Sequence, residues 1–204
     1  MRRWRFLGIL AILMGVASVP AADDPKPKDD DKFAALIGKD APEISFDFTH
    51  QCKARKLSEL RGKVVLVDFW AVWCGPCVRT FPHLQDWHAA YHDKGLEIVG
   101  VTAYYKTKDF DKEAGKLIKA KSALEPEAER QMLKDFVSHF KLAHSIVALE
   151  GANNVKAKSE YLVRGIPHAV LIDRQGKIRL VKVGATKENA EKLEETIKQL
   201  LAEN

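Results

Sequence analysis

The sequence predicts an α/β domain, a central mixed sheet flanked by helices in three layers. Three observations carry this. The runs Val64–Trp70 and Leu96–Thr102 are apolar nearly throughout, as strands buried on both faces are. Helical patterns alternate with these and later strands. A late turn, Arg174-Gln175-Gly176, then joins two strand-like runs ahead of a last helix.

Taken in order, Glu43 to Phe48 alternates polar and apolar residues, the pattern of an edge strand. Leu57 to Gly62 reads as a turn or short helical piece before the buried strand Val64–Trp70. A helix runs from Cys77 towards Tyr91, with a kink predicted at Pro82, whose ring and missing N–H disturb the preceding turn. Gly95 stops it before the strand Leu96–Thr102. Ala103 to Leu124 is rich in Lys and Asp, with scattered apolar residues, and reads as an insertion after the second buried strand. Glu125-Pro126 opens an amphipathic helix to about Leu142, with Met132, Leu133, Phe136, Val137 and Phe140 as its apolar stripe. Ser145–Leu149 is a short strand, Gly151–Asn154 a loop, and a brief helix follows towards Leu162. Strands Ala169–Asp173 and Ile178–Val183 flank the hairpin turn, and Thr186 caps a helix reaching about Ala202.

The N-terminus bears on compartment. Arg2, Arg3 and Arg5 precede the apolar stretch Phe6–Val19, and Val19-Pro20-Ala21 offers small residues for cleavage, so residues 1–22 read as an export signal. The stretch is short for a membrane span, although an uncleaved anchor is the competing reading. Residues 23–37 read as a flexible linker, the Pro/Lys/Asp run Asp23–Lys32 being too polar to bury itself. Residues 38–204 then form a single domain. Net charge falls from +5 to +2 once the three signal arginines are removed, which excludes an electrostatic case for nucleic acid.

The chemistry concentrates in Trp73-Cys74-Gly75-Pro76-Cys77. Following a strand and opening a helix, Cys74 stands where unpaired N–H groups and the helix dipole favour a thiolate, the reactive form in disulfide exchange. Half of a zinc site is the bland alternative. Only Cys52 remains as a third cysteine, however, and a closed structural site needs four ligands. His88 and His92 are spaced i,i+4 but share their helix face with Asp86 and Asp93, so they read as a solvated face. Asp68, an acid between Val67 and Phe69, suffers desolvation that raises its pKa towards neutrality, making it a plausible proton acceptor.

Val67 to Cys77 resembles the active-site strand and loop of thioredoxins. Leu57-Ser58-Glu59-Leu60-Arg61-Gly62-Lys63 upstream, and Gly165-Ile166-Pro167 with Val170 to Gly176 downstream, resemble the exported TlpA/ResA-type thiol–disulfide oxidoreductases. The resemblance implies a thioredoxin-like fold and a Cys74/Cys77 dithiol that reduces disulfides of exported, extracytoplasmic (periplasmic) proteins, cytochrome c maturation being one such setting. It implies a membrane thiol electron donor and neither cofactor nor metal. It makes Asp68 the base that helps deprotonate Cys77 and the Ile166–Pro167 bond cis. Trp73 shapes access to the dithiol, Gly75 permits close approach, Pro76 stiffens the loop, and Ile166 offers its backbone to an extended substrate. Three features depart from the pattern. His168 follows the proline where threonine is usual, and either tunes the dithiol or points outward. Cys52 is either a buried small hydrophobe or an accessible third thiol. Ala103–Leu124 either forms a substrate-facing wall, with Tyr104 and Tyr105 nearest, or is a solvated loop. A redoxin-like peroxidase is one alternative, although Asp68-Phe69-Trp70-Ala71-Val72-Trp73 replaces the Pro-x3-Thr-x2 setting expected there. A metallochaperone or binding module using the same cysteines is the other.

Overall fold

The protein is described by a computed structural model over residues 33–203. Residues 1–32, and with them the signal reading and most of the linker, lie outside the described residues. Strand β1 (Phe48–His50), β2 (Val64–Phe69), β3 (Leu96–Ala103), β6 (Ser145–Leu149), β7 (His168–Ile172) and β8 (Ile178–Val183) form one sheet in the order β1-β6-β3-β2-β7-β8. β2 is parallel to β3 and antiparallel to β7, and β3 is parallel to β6. Hydrogen-bonded on both edges and packed on both faces, β2 has all its residues buried, which is why six of the seven residues of its run are apolar.

The two faces carry different cores. Leu66, Ile98, Ile146 and Leu171 face helices α1 (Gly75–Tyr91), α2 (Pro126–His139) and α4 (Lys187–Ala202). Val67, Val99, Val147 and Val170 face the N-terminal segment and α3 (Gly151–Glu160). Trp70 anchors the first core, stacked on Phe136 at 5.6 Å and edge-on to Phe81 at 5.5 Å. Gly100 fits beneath it, because a Cβ there would lie 2.9 Å from both Trp70 Nε1 and Ile146 Cδ1. Among the described residues no helix is long and apolar enough to cross a membrane.

Several elements differ from the sequence reading. The edge strand is β1, not Glu43–Phe48. There, Ile44 and Phe46 are buried, but only an isolated bridge, Ser45 to Lys56, is formed; the alternation reports burial rather than a ladder. Gly151–Asn154 is the first turn of α3 and not a loop. Asp47, from far upstream, accepts the Glu150 N–H and the Asn153 side-chain amide at 2.8 Å each. Local propensity does not reveal such a tertiary cap. The linker ends sooner than residue 37, since Phe33 is buried against the His168 ring at 5.4 Å. α1 begins at Gly75 rather than at Cys77.

The insertion is structured. β4 (Lys108–Asp111) and β5 (Lys116–Lys119) pair antiparallel as a hairpin. Phe110 seats it on α2, its ring 5.5 Å from Phe136 and 5.2 Å from His139. Lys112 pairs with Asp135 at 2.9 Å.

Candidate active site

β2 delivers the chain to Cys74 at the sheet's C-terminal edge, and α1 departs from it. Cys74 is the N-cap residue of α1, with extended backbone (φ −85°, ψ 93°), and its sulfur accepts the Cys77 N–H at 3.1 Å. The helix N-terminus thus meets sulfur where the macrodipole is most positive, an environment that favours negative charge on the sulfur. Cys74 and Cys77 are joined as a disulfide, Cα to Cα 5.2 Å. Cys74 is 3% exposed and Cys77 fully buried, so of the two residues only Cys74 borders solvent. Gly75 and Pro76 fill the first helical positions, where proline's missing N–H costs nothing. A Cβ on Gly75 would meet nothing within 4 Å, so no contact inside the chain demands glycine there.

Asp68 lies on the face of β2 shared with Leu66, the face that also carries both cysteines. It is 3% exposed, its Oδ2 has no hydrogen-bond partner, and burial pushes its pKa up to about 7. A cavity of about 260 Å³ reaches it between α1 and α4, lined also by Thr80, Pro167 and Ala169. A carboxyl group with this pKa can exchange a proton near neutrality through that cavity.

β7 brings the remaining residues from far along the chain. Running antiparallel to β2, it starts where β2 ends, setting His168 opposite Phe69 and Ala169 opposite Asp68. The Ile166–Pro167 bond is cis, and the Pro167 carbonyl accepts the Gly184 N–H at 2.9 Å. Trp73 is 52% exposed and edge-on to Tyr105 of the insertion at 5.8 Å. Trp73, Tyr105 and Ile166 line a second cleft, of about 250 Å³. Tyr105 thus stands beside the site at the insertion's base, while Tyr104 turns towards α2, its hydroxyl 3.3 Å from Arg130 Nε.

His168 neither points outward nor reaches the dithiol. It is fully buried on the opposite face of the sheet, 5.4 Å from the Phe33 ring and 5.8 Å from Phe69. Strand alternation groups it there with Val170 and Ile172. Burial depresses its pKa to about 4. Cys52 is half-buried, its thiol 3.6 Å from the Ala54 carbonyl oxygen. His88 and His92 stand 4.6 Å apart, and no group of three or more His, Cys, Asp or Glu suited to a metal ion is gathered among the described residues.

One residue beside the site escaped the sequence reading. Glu129 of α2 is 1% exposed and accepts the backbone N–H of Tyr105, at 2.6 Å, and of Lys106. Its signal was present, since Glu129 occupies the apolar stripe of α2 at i−3 from Met132 and i−4 from Leu133.

This fold and site define a thiol–disulfide oxidoreductase with a thioredoxin-like architecture. The chain belongs to the Redoxin family, whose model matches residues 36–200. It is 29% identical over 163 residues to the thiol-disulfide oxidoreductase ResA of Bacillus cereus, covering 79% of this chain and 78% of that one. It is 32% identical over 144 residues to ResA of Halalkalibacterium halodurans, covering 70% and 67%. Among solved structures it is similar to a thiol:disulfide interchange protein DsbE from Chlorobium tepidum, with TM-score 0.58 and 29% identity over 81% of this chain and 98% of that one. These relatives place it with the TlpA/ResA type and favour neither the peroxidase nor the metal-binding alternative.

Proposed function

We propose that the protein reduces disulfide bonds in exported partner proteins, with Cys74 as nucleophile, Cys77 as resolving thiol and Asp68 as proton acceptor. In the reduced protein the Cys74 thiolate attacks one sulfur of a partner disulfide. A Cys74–partner bond forms, and the partner's other sulfur leaves as a thiolate. Cys77 gives its proton to Asp68 and attacks Cys74, and the second partner sulfur leaves as a thiolate that takes a proton from water. The partner gains two electrons, and the protein is left with the Cys74–Cys77 disulfide. The dithiol is the only redox group this cycle needs, and a thiol donor at the membrane returns the two electrons. Trp73, Pro76, Pro167 and the Ile166 backbone frame the attacking sulfur, an extended partner segment lying beside the proline loop. The arginines and apolar stretch of residues 2–19 support an extracytoplasmic location.

The observation that carries the reductive reading is Asp68, buried behind the dithiol on the same face, with a pKa about 7. The test is trapping. Cys77→Ser, reacted in the native compartment, should accumulate mixed disulfides through Cys74, and Cys74→Ser should accumulate none and lose disulfide-reductase turnover. Full turnover by Cys74→Ser would overturn the mechanism.

A further inference from the structure

The cleft beside Trp73 has a chemical character that bears on which disulfides reach Cys74. Its floor and walls are apolar and aromatic: Trp73 from the active-site loop, Tyr105 from the insertion, Val163 and Ile166 from the segment before β7. The charged residues lining it are Lys158 of α3 and Arg164, and no Asp or Glu lines it. Neither cation forms an ion pair or a side-chain hydrogen bond among the described residues. That contrasts with Lys112, Arg130 and Arg179, which find carboxylates on their own surface. Trp73, half exposed and held edge-on by Tyr105, presents a wide apolar surface with no internal partner on its open side. Apolar walls with uncompensated positive charge at one side complement an apolar or aromatic segment bearing a carboxylate.

We infer that this cleft selects disulfides whose flanking segment is acidic, its apolar part lying on Trp73 and Tyr105 and its carboxylate meeting Lys158 and Arg164. The inference rests on the disulfide-exchange reading and adds the class of partner. Buried Glu129 serves it indirectly as a positioning residue: by accepting the Tyr105 and Lys106 N–H groups it fixes the start of the insertion, and so the wall that Tyr105 forms.

The test uses the reduced full-length protein and three substrates. Two are disulfide peptides of equal length and apolar content, one with Glu and one with Lys flanking the bridge. The third is the neutral 2-hydroxyethyl disulfide. Each variant's peptide rates, as kcat/KM, are divided by its own rate with the neutral disulfide. The acidic peptide should be favoured over the basic one by about tenfold at low salt, the scale of two partly exposed ion pairs, and the preference should shrink as salt is raised. Lys158→Glu/Arg164→Glu should reverse the order, and Lys158→Gln/Arg164→Gln should level it. Equal rates for the two peptides with the unaltered protein, or a preference that survives both double variants, overturns the inference and leaves the exchange reading standing. No reduction of any of the three substrates overturns both.

Discussion

Asp68 is the residue whose environment has the most direct kinetic consequence. Its carboxyl group has lost water without gaining a cation or a donor at Oδ2, so the neutral form is favoured up to about pH 7. Asp68→Asn keeps the shape and removes the proton acceptor. Resolution of the mixed disulfide should slow about a hundredfold, the usual contribution of a general base, and the limb of the pH–rate profile near 7 should vanish. Stopped-flow rates for the release of reduced partner, measured on both sides of neutrality, check this; an unchanged profile would assign the proton elsewhere. Asp68 was legible in the sequence because an acid inside an apolar run declares itself. His168 was not. Its place on the far face depends on the register of β7 against β2, and a slip of one residue would have turned it towards the dithiol. Motif spacing carries no information about that register.

At the scale of elements, α2 does two things at once. Through Phe136 it supports Trp70 and the hairpin's Phe110, and through Glu129 it ties down the insertion. Phe136→Ala should cost about 3–5 kcal/mol of stability, as large-to-small changes in tightly packed cores do, measurable from the urea midpoint. Glu129→Ala should act locally. It leaves two N–H groups without their acceptor, so amide exchange at Tyr105 and Lys106 should accelerate while β2 and β3 stay protected. Uniform acceleration across the sheet would instead mean that Glu129 supports the whole domain. The hairpin was hidden in the sequence because β4 and β5 bury little besides Phe110, so its strands carry no apolar alternation. α3 was partly hidden for the opposite reason, its start being set by Asp47, remote in sequence and close in space. The strands β2 and β3 were legible because burial on both faces leaves a mark that does not depend on partners. The hairpin of β7 and β8 was legible through its turn, where Gly176 adopts the positive φ that glycine alone takes without strain.

For the whole molecule, Asp68, His144 and His168, buried groups with large shifts between about pH 4 and 7, give stability an opposed dependence on pH. Asp68 is a raised acid: its contribution is complete below its ordinary 3.8 and lost as pH rises through about 7. His144 and His168 are lowered bases, chiefly through burial: their contributions are complete above 6.5 and lost as pH falls through about 4. Between these limits the unfolded chain holds two protons that the native histidines lack, and the native state holds one on Asp68 that the unfolded chain lacks. Stability of the oxidised protein should therefore rise with pH from about 4 to 6.5 by on the order of 1 kcal/mol per unit, and Asp68→Asn should steepen the rise about twofold. Urea unfolding across that range decides it; a flat or falling trend contradicts the assignment. The pairing of β7 with β2 has a consequence for biosynthesis. Cys77 and Pro167 are separated by 90 residues, so a chain growing from its N-terminus presents Cys52, Cys74 and Cys77 long before the proline loop exists. While that remainder is still being made, none of the three thiols has the surroundings that the finished fold gives it. A nascent chain halted before residue 168 should therefore be alkylated at all three cysteines, including Cys77, which the finished fold buries completely.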